Sequence, residues 1–380
     1  MASYAAKAPG VYVEEVASGA GPIAGVGTST AGFIGVVPDA TTMPTNAATD
    51  TAYTRAALNT AQLVTSTADF ERKFGSADNF VLSSAVTGFF QNGGTRAWVT
   101  GLSATSTDLV ADATAALAEF ETIDEIAIVA APLDAVNDQI NEAILVHCEL
   151  MQDRFAVLSG AQTSDATYSA SSVTAARASE YGAVYYPWVD VSGSGEYVQP
   201  VGHVAGLYAR VDAERGVHKA PANEVLRGVF GVSQRLGRNQ QGPLNQAGVN
   251  VIRVFGNSVT VWGARSLAGD TSAFKYVSTR RLFNYLKESI EEGLGWAVFE
   301  PNDAALWAKI GGRVSAFLER TWAAGALFGA TPEDAFYVKC DADTNPEDVR
   351  AMGMVVTEIG VAITQPAEFV VFKLAQKTNT

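Results

Sequence analysis

The 380-residue sequence has little of what enzyme chemistry uses most: three histidines and two cysteines. His147, His203 and His218 share no metal-ligand spacing, so no metal centre is expected. Cys148 and Cys340 lie far apart and outside any paired-cysteine motif, and they read as buried free thiols of a reducing compartment. No Gly-Lys-Ser/Thr sequence is present, which excludes a P-loop. Gly25 and Gly27 precede a strand, and Thr30 stands where a third glycine belongs, so the dinucleotide fingerprint fails as well. There is no nucleophile elbow. Acidic neighbours such as Glu291-Glu292 or Asp341 and Asp343 read as solvated faces, not as a glycosidase pair. No catalytic residue, cofactor site or metal site is expected, and the chain reads as a non-enzyme.

Positive charge and long apolar runs are also scarce. Twenty-six Lys and Arg against forty Asp and Glu give a formal charge of −14, a field that repels phosphates and anionic lipid. No nucleic-acid partner is expected. The longest apolar stretches, such as 126–133, fall far short of the roughly 18–20 residues of a membrane span, so no direct membrane insertion is expected. The first ten residues hold one basic residue and no apolar run, so no secretory leader is expected either.

The composition that remains, 48% hydrophobic and 17% charged, is that of a packed globular protein. At roughly 150 residues per domain the length predicts two or three domains. Between residues 126 and 158 the pattern runs strand, helix, strand. Ile140, Ile144 and Cys148 recur every four residues and form a stripe that must pack on a sheet. Residues 31–37 and 183–189 read as further strands, 38–59 as a polar loop, and 171–179 as a helix of small residues. An α/β domain with partly parallel strands follows. A second α/β region is read from residue 206 onward, with helices over 278–292 and 303–327 and strands over 335–340 and 353–363. Asp303 is a candidate N-cap and Gly329 to Pro332 a candidate stop.

Both ends carry a β-prone segment. Val11, Tyr12, Val13, Glu14 and Val16 follow Pro9-Gly10 and precede the glycine-rich stretch 17–27; Phe369, Val370, Val371 and Phe372 follow Pro366. A strand on a flexible tether either pairs within its own fold or adds to another subunit's sheet edge. Charge is uneven: residues 1–205 carry −15, 206–330 carry +5 and 331–380 carry −4. On the helix over 303–327, Lys309, Arg313 and Arg320 lie within about 40° of one another at roughly 100° per residue. Leu306, Ile310, Val314 and Phe317 take the neighbouring apolar face. A basic stripe beside a buried face is either a solvated helix face or a salt-sensitive contact with an acidic partner.

Several segments, taken in order, carry a resemblance. They are Pro9 to Val16, Pro22 to Val26, Thr28 to Gly35, Phe70 to Gly75, Phe89 to Gly94, Tyr185-Tyr-Pro-Trp188, Gly202 to Gly206, Arg215 to Glu224, Leu244-Asn245, Val261 to Arg265, Phe299 to Asp303 and Pro366 to Phe369. Together they resemble the tail sheath proteins of contractile phage tails, R-type tailocins and extracellular contractile injection systems.

The resemblance implies two α/β domains with extended N- and C-terminal strand arms that augment neighbouring subunits' sheets. The arm and tether would be 1–27, an outer sheath domain 28–205, an inner tube-facing domain 206–365, and the C-terminal arm 366–380. It implies a homo-oligomer of stacked hexameric rings around an inner tube, with baseplate and terminal cap proteins, that contracts to drive the tube through a target envelope. Lys309, Arg313 and Arg320 would face the tube. Assembly would take place in a bacterial cytoplasm, the product being part of a phage tail or tail-like particle. The chain is short for the family and so nearer its tailocin and injection-system types. As a single chain it does not match the two-protein sheaths of type VI secretion. The alternatives are a non-contractile tube or other helical assembly protein, and a soluble α/β enzyme.

Overall fold

The β-branched run after the tether does form a buried strand. In the computed structural model, which describes residues 22–38, 41–75, 80–163, 169–174, 176–369 and 371, the elements in chain order are as follows. The first half holds β1 (Ala31–Val37), β2 (Thr45–Asn46), β3 (Thr51–Ala52), β4 (Ala61–Val64), α1 (Thr67–Phe74), α2 (Phe80–Asn92), β5 (Ala97–Ser103), α3 (Leu109–Phe120), β6 (Ile128–Ala130), α4 (Asp138–Met151), β7 (Phe155–Ser159), α5 (Ala170–Val173) and β8 (Gly182–Tyr186). Then come β9 (Val189–Asp190), β10 (Tyr197–Val198), α6 (Val201–Arg215), β11 (Glu224–Val225), β12 (Gly231–Val232), α7 (Arg238–Gln246), β13 (Val249–Phe255) and β14 (Ser258–Val261). The last stretch holds α8 (Val277–Leu294), α9 (Ala304–Ala323), α10 (Pro332–Ala335), β15 (Phe336–Lys339), α11 (Glu347–Ala351) and β16 (Glu358–Val361).

Nine strands form one sheet in the order β11-β14-β13-β8-β7-β6-β1-β5-β4. The six central strands are parallel; β4 at one end and β14 with β11 at the other run antiparallel to their neighbours. A parallel sheet needs both faces covered, and alternation along the strands supplies two apolar faces. Phe33, Val99, Val157 and Tyr185 meet α2 and α6 through Val86, Phe89, Val204 and Tyr208. Ile34, Leu158 and Val184 meet α3 and α4 through Leu117, Phe120, Ile144 and Cys148. The expected stripe of α4 is therefore the one that packs, and Asn137 caps the helix through the Gln139 and Ile140 amides.

The segment Gly202 to Gly206 acquires a physical reason in this packing. A Cβ at Gly202 would sit 2.2 Å from the Ala85 carbonyl oxygen, and one at Gly206 would sit 2.3 Å from that of Phe89. Only glycine lets α6 approach α2 backbone to backbone.

Beyond β14 the architecture changes. Helices α8 and α9 pack on a two-stranded antiparallel ribbon, β15 and β16. The buried face of α9 comprises Leu306, Ile310, Val314, Phe317 and Leu318, as the spacing predicts. Asp303 caps α9 through the Ala305 and Leu306 amides. The helix stops earlier than Gly329, at Ala324, where Gly325 takes φ 82; Thr331 and Pro332 open α10 instead.

The structure corrects other expectations. A boundary at residue 206 falls inside α6, and β11, β13 and β14 complete the large sheet; the change of core lies between β14 and α8. The helix expected over 171–179 is the single turn α5 (Ala170–Val173), since small serines and alanines offer little apolar side chain to hold a longer helix against the body. The loop over 38–59 contains the small hairpin β2–β3. Strand β16 covers only Glu358–Val361 of the expected 353–363. Residues 366–369 carry no strand, while 11–16, 370 and 372 lie outside the described residues.

Candidate functional site

Three features gather where the ends of the described chain meet its body, and the first is the tether. The glycine-rich stretch reads as flexible, yet Ile23 to Thr28 is stitched to the C-terminal helices. Ile23 is 3% exposed and belongs to the core of α8 and α9. Arg320 donates to its carbonyl at 2.7 Å, and the Val26 amide donates to Ser289 Oγ at 3.1 Å. Thr28 closes the stitch: its hydroxyl donates to Asp212 Oδ2 at 2.7 Å, and Arg281 donates to its carbonyl at 2.8 Å. Arg281 and Asp212, side chains each 4% exposed, are themselves paired at 2.6 Å. Replacing one partner of such a pair leaves a buried charge and costs about 3–5 kcal/mol. The chain is therefore already fixed to the body at Ile23, ahead of Gly27.

The second feature is the point where the C-terminal segment leaves the body. Glu368 accepts two hydrogen bonds from Arg265 at 2.9 and 3.0 Å, one from Asn245 at 2.7 Å and one from Tyr276 at 3.0 Å. Burial alone would raise its pKa, but these donors outweigh burial and hold the carboxyl below its usual range. Asn245, Arg265 and Glu368 come from three segments that the sequence shows separately; no local pattern announces that they meet. A groove of about 770 Å³ lies beside this anchor, lined by Trp262, Tyr276, Lys219, Glu368 and Phe369. Phe369 and Val371 are exposed.

The third feature is the open ribbon. Neither β15 nor β16 pairs with a third strand among the described residues, and Phe328 and Tyr337 are exposed upon this unit. A two-stranded ribbon is marginal alone, and its edges present unpaired main-chain groups to another strand.

The basic stripe is divided by the structure. The Lys309 ammonium and the Arg313 guanidinium both lie over the Trp296 ring, at 5.4 and 4.5 Å from its centroid. Arg320, on the same face, is engaged with the tether. Nor does the positive charge of 206–330 belong to these helices: 206–276 hold nine basic and four acidic side chains, net +5, whereas 277–330 hold six of each. The contrast of an acidic first domain with a basic second one therefore fails, and only the local stripe remains. Trp296 leads into Val298 and Phe299, both exposed; Phe299 is 103% exposed at φ 68. An aromatic residue at positive φ is strained, at a cost of about 1–3 kcal/mol.

Two of the three histidines and Cys148 are buried away from these features, while Cys340, expected to be buried, is only partly so. His147 and His203 are buried, and burial pushes each down to about 4, so both are neutral at pH 7. Burial likewise pushes the Cys148 thiol up. Among the described residues no group of three or more His, Cys, Asp or Glu side chains is placed to hold a metal ion, and no helix is long and apolar enough to cross a membrane.

Comparison with known proteins agrees with an assembly surface. Residues 109–267 match the phage tail sheath protein central domain and 269–377 the phage tail sheath C-terminal domain; the join falls between β14 and α8, where the core changes. The tail sheath protein of Vibrio phage KVP40 is 28% identical over 178 residues, 46% of this chain and 26% of that protein. That of Burkholderia phage BcepMu is 28% identical over 196 residues, 48% of this chain and 40% of that protein. The chain thus spans less than half the length of these curated relatives. Solved structures match over nearly the whole chain. The helical sheath of the anti-feeding prophage in its contracted state is 30% identical, covering 97% of this chain and 99% of that one, with a TM-score of 0.78. The sheath complex of PVC, an extracellular contractile injection system, also in the contracted state, is 29% identical, covering 97% and 98%, with a TM-score of 0.79. With two tail sheath domains in order and whole-length likeness to sheath subunits, the chain belongs to the phage tail sheath family.

Proposed function

We propose that the chain is the structural subunit of a contractile sheath. It polymerises as stacked hexameric rings around an inner tube, engages baseplate and cap proteins at the ends, and contracts to drive the tube through a target envelope. The observation that carries this reading is the likeness, over 97% of the chain, to a helical sheath in its contracted state. The arms add as strands to the open edges of a neighbour's β15–β16 ribbon. Main-chain hydrogen bonds give that contact its strength, so subunits rotate without parting. Energy is stored in assembly, the contracted lattice burying more surface and lying lower in free energy. Assembly takes place in the bacterial cytoplasm, before the particle is released.

Negative-stain electron microscopy of the purified protein tests the reading. Wide, hollow, striated cylinders are expected. Narrow smooth tubes would favour a non-contractile tube protein, and uniformly small particles at assembly concentrations would remove the sheath reading.

A further inference from the structure

We propose that the trough at the end of α6 receives Glu14 and Glu15 of the same chain while the subunit is unassembled, withholding the N-terminal segment from a neighbour's ribbon until that contact breaks. The proposal rests on the strand-addition reading of the segment and adds where it is kept before it is used.

Two cavities meet at this place. One, of about 410 Å³, is lined by Val26 and Thr28 of the tether and by Arg320; the other is the groove of about 770 Å³ beside Glu368. Arg215 and His218 line both. The turn that carries them is fixed. Gly216, at φ 87, ends α6 with its amide on the Asp212 carbonyl at 2.9 Å, and the Lys219 amide donates to the Gly216 carbonyl at 3.0 Å. A Cβ at position 216 would lie 2.9 Å from the His218 ring, so glycine lets the imidazole fold back against the turn.

The acids of the trough are matched: Asp212 with Arg281 at 2.6 Å, Glu224 with Lys219 at 3.5 Å and Glu368 with Arg265 at 2.9 Å. Its other polar groups are not. Among the described residues no hydrogen bond or ion pair engages Arg215 or His218, and Arg320 meets the uncharged Ile23 carbonyl. Burial, then the Arg215 charge, holds His218 below its usual range, as follows when a cation faces it with no acid between. An arginine and an imidazole with open donors suit carboxylates.

The segment that supplies carboxylates lies just upstream. Residues 1–21 lie outside the described residues, and Ile23 is held at the rim of the smaller cavity through Arg320. Glu14 and Glu15 are the only acids among the first 38 residues, and Val13 and Val16 flank them. Glu15 precedes Ile23 by eight residues, a reach of about 26–29 Å when extended. Across so short a linker the effective concentration is on the order of millimolar, so at low subunit concentration the same chain outcompetes a second copy.

The test uses the full-length chain. Arg215 is exposed, and Arg215→Glu should hasten cylinder formation about fivefold by light scattering, the scale of one or two partly exposed ion pairs. Glu14→Lys with Glu15→Lys should do the same, and combining both sets of changes should restore the wild-type rate. A segment that serves assembly alone gives the opposite sign, so an unchanged or slowed rate in Arg215→Glu overturns the proposal and leaves the sheath reading standing. A second measurement needs no assembly. Ala324 lines the smaller cavity; Val16→Cys with Ala324→Cys, in a Cys340→Ser background, is treated with a short bis-maleimide at low concentration as an equal mixture of unlabelled and heavy-isotope chains. Links within single chains are expected, and adding Arg215→Glu should cut their yield about fivefold. Links between chains would make the occupant a second copy, and no links, or links indifferent to Arg215→Glu, would mean that the carboxylates are not held there; each overturns the proposal.

Discussion

The large-sheet unit and the C-terminal unit draw on the same residue types, but only the first closes on itself. In the large sheet the six parallel strands are covered on both faces by the chain's own helices, and one edge is capped: Glu119 of α3 accepts the Ala61 amide of β4 at 3.0 Å. In the C-terminal unit the core of α8 and α9 takes Ile23 from the far end of the sequence, and among the described residues the β15–β16 ribbon gains no third strand. The large sheet thus buries its faces with this chain's own helices. Under the proposed function, an incomplete unit is what would hold its subunit in a lattice, since another chain's arm would supply what it lacks. The contrast predicts that perturbations of the tether weaken one unit and spare the other.

The largest effect expected is that of Ile23→Ala. Deleting a buried isoleucine side chain typically costs about 2–5 kcal/mol, here charged to α8 and α9 alone. Hydrogen exchange should accelerate along α9 while β7, all five of whose residues are buried, keeps its protection. Equal loss of protection in both would show that the two units melt as one and would break the comparison.

A second variant probes the seam between them. Glu288 on α8 lines a small cavity with Thr28, Asp153 and Arg281. Burial, then the charges of Asp153 and Glu292, push its carboxyl up to about 8, with Asp124 adding to the rise and Arg154 opposing it. Below the ordinary glutamate range, near 4.5, the group is protonated folded or unfolded and contributes nothing. Between there and about 8 the folded chain keeps a proton that the unfolded chain releases, so stability falls as pH rises, at most by about 1.4 kcal/mol per unit. Glu288→Gln removes that dependence. Its gain in melting temperature should be absent at pH 4, grow through neutrality and level off above pH 8. A constant gain across that range would place the cause in packing rather than in ionisation.

These pins mark where sequence reading stopped. The strands, the apolar faces of α4 and α9 and the cap at Asp303 were legible because each is set by neighbours within a turn or two. Membership of β13 and β14 in the large sheet was not, since parallel pairing with β8 is fixed by tertiary contact and leaves no local periodicity. The stitch of Thr28 to Asp212 and Arg281, and the meeting of Arg265 with Glu368, join residues far apart in the chain. Arg320 read as one of three equivalent cations because helical spacing reports direction and not partner. Phe299 sat within a segment that the resemblance quoted, but exposure and backbone strain are visible only in the fold.

The smallest effect on stability, and the one that most sharpens the contrast, belongs to the exit of the C-terminal segment. Phe369 and Val371 lie just beyond the Glu368 anchor with their side chains exposed, so the isolated subunit gains almost nothing from them. Phe369→Ser with Val371→Ser should shift stability by no more than about 0.5 kcal/mol, as surface changes do, and leave the exchange pattern of both units intact. Assembly should respond quite differently. If these side chains fill alternate pockets beside a neighbour's ribbon, their loss removes the apolar half of a strand-addition contact and leaves only its main-chain bonds. Cylinders should then form at a higher protein concentration and shed subunits on dilution, measured by sedimentation. A double variant that melts early would mean that the segment belongs to its own subunit's fold; one that assembles as wild type would move the contact elsewhere along the arm.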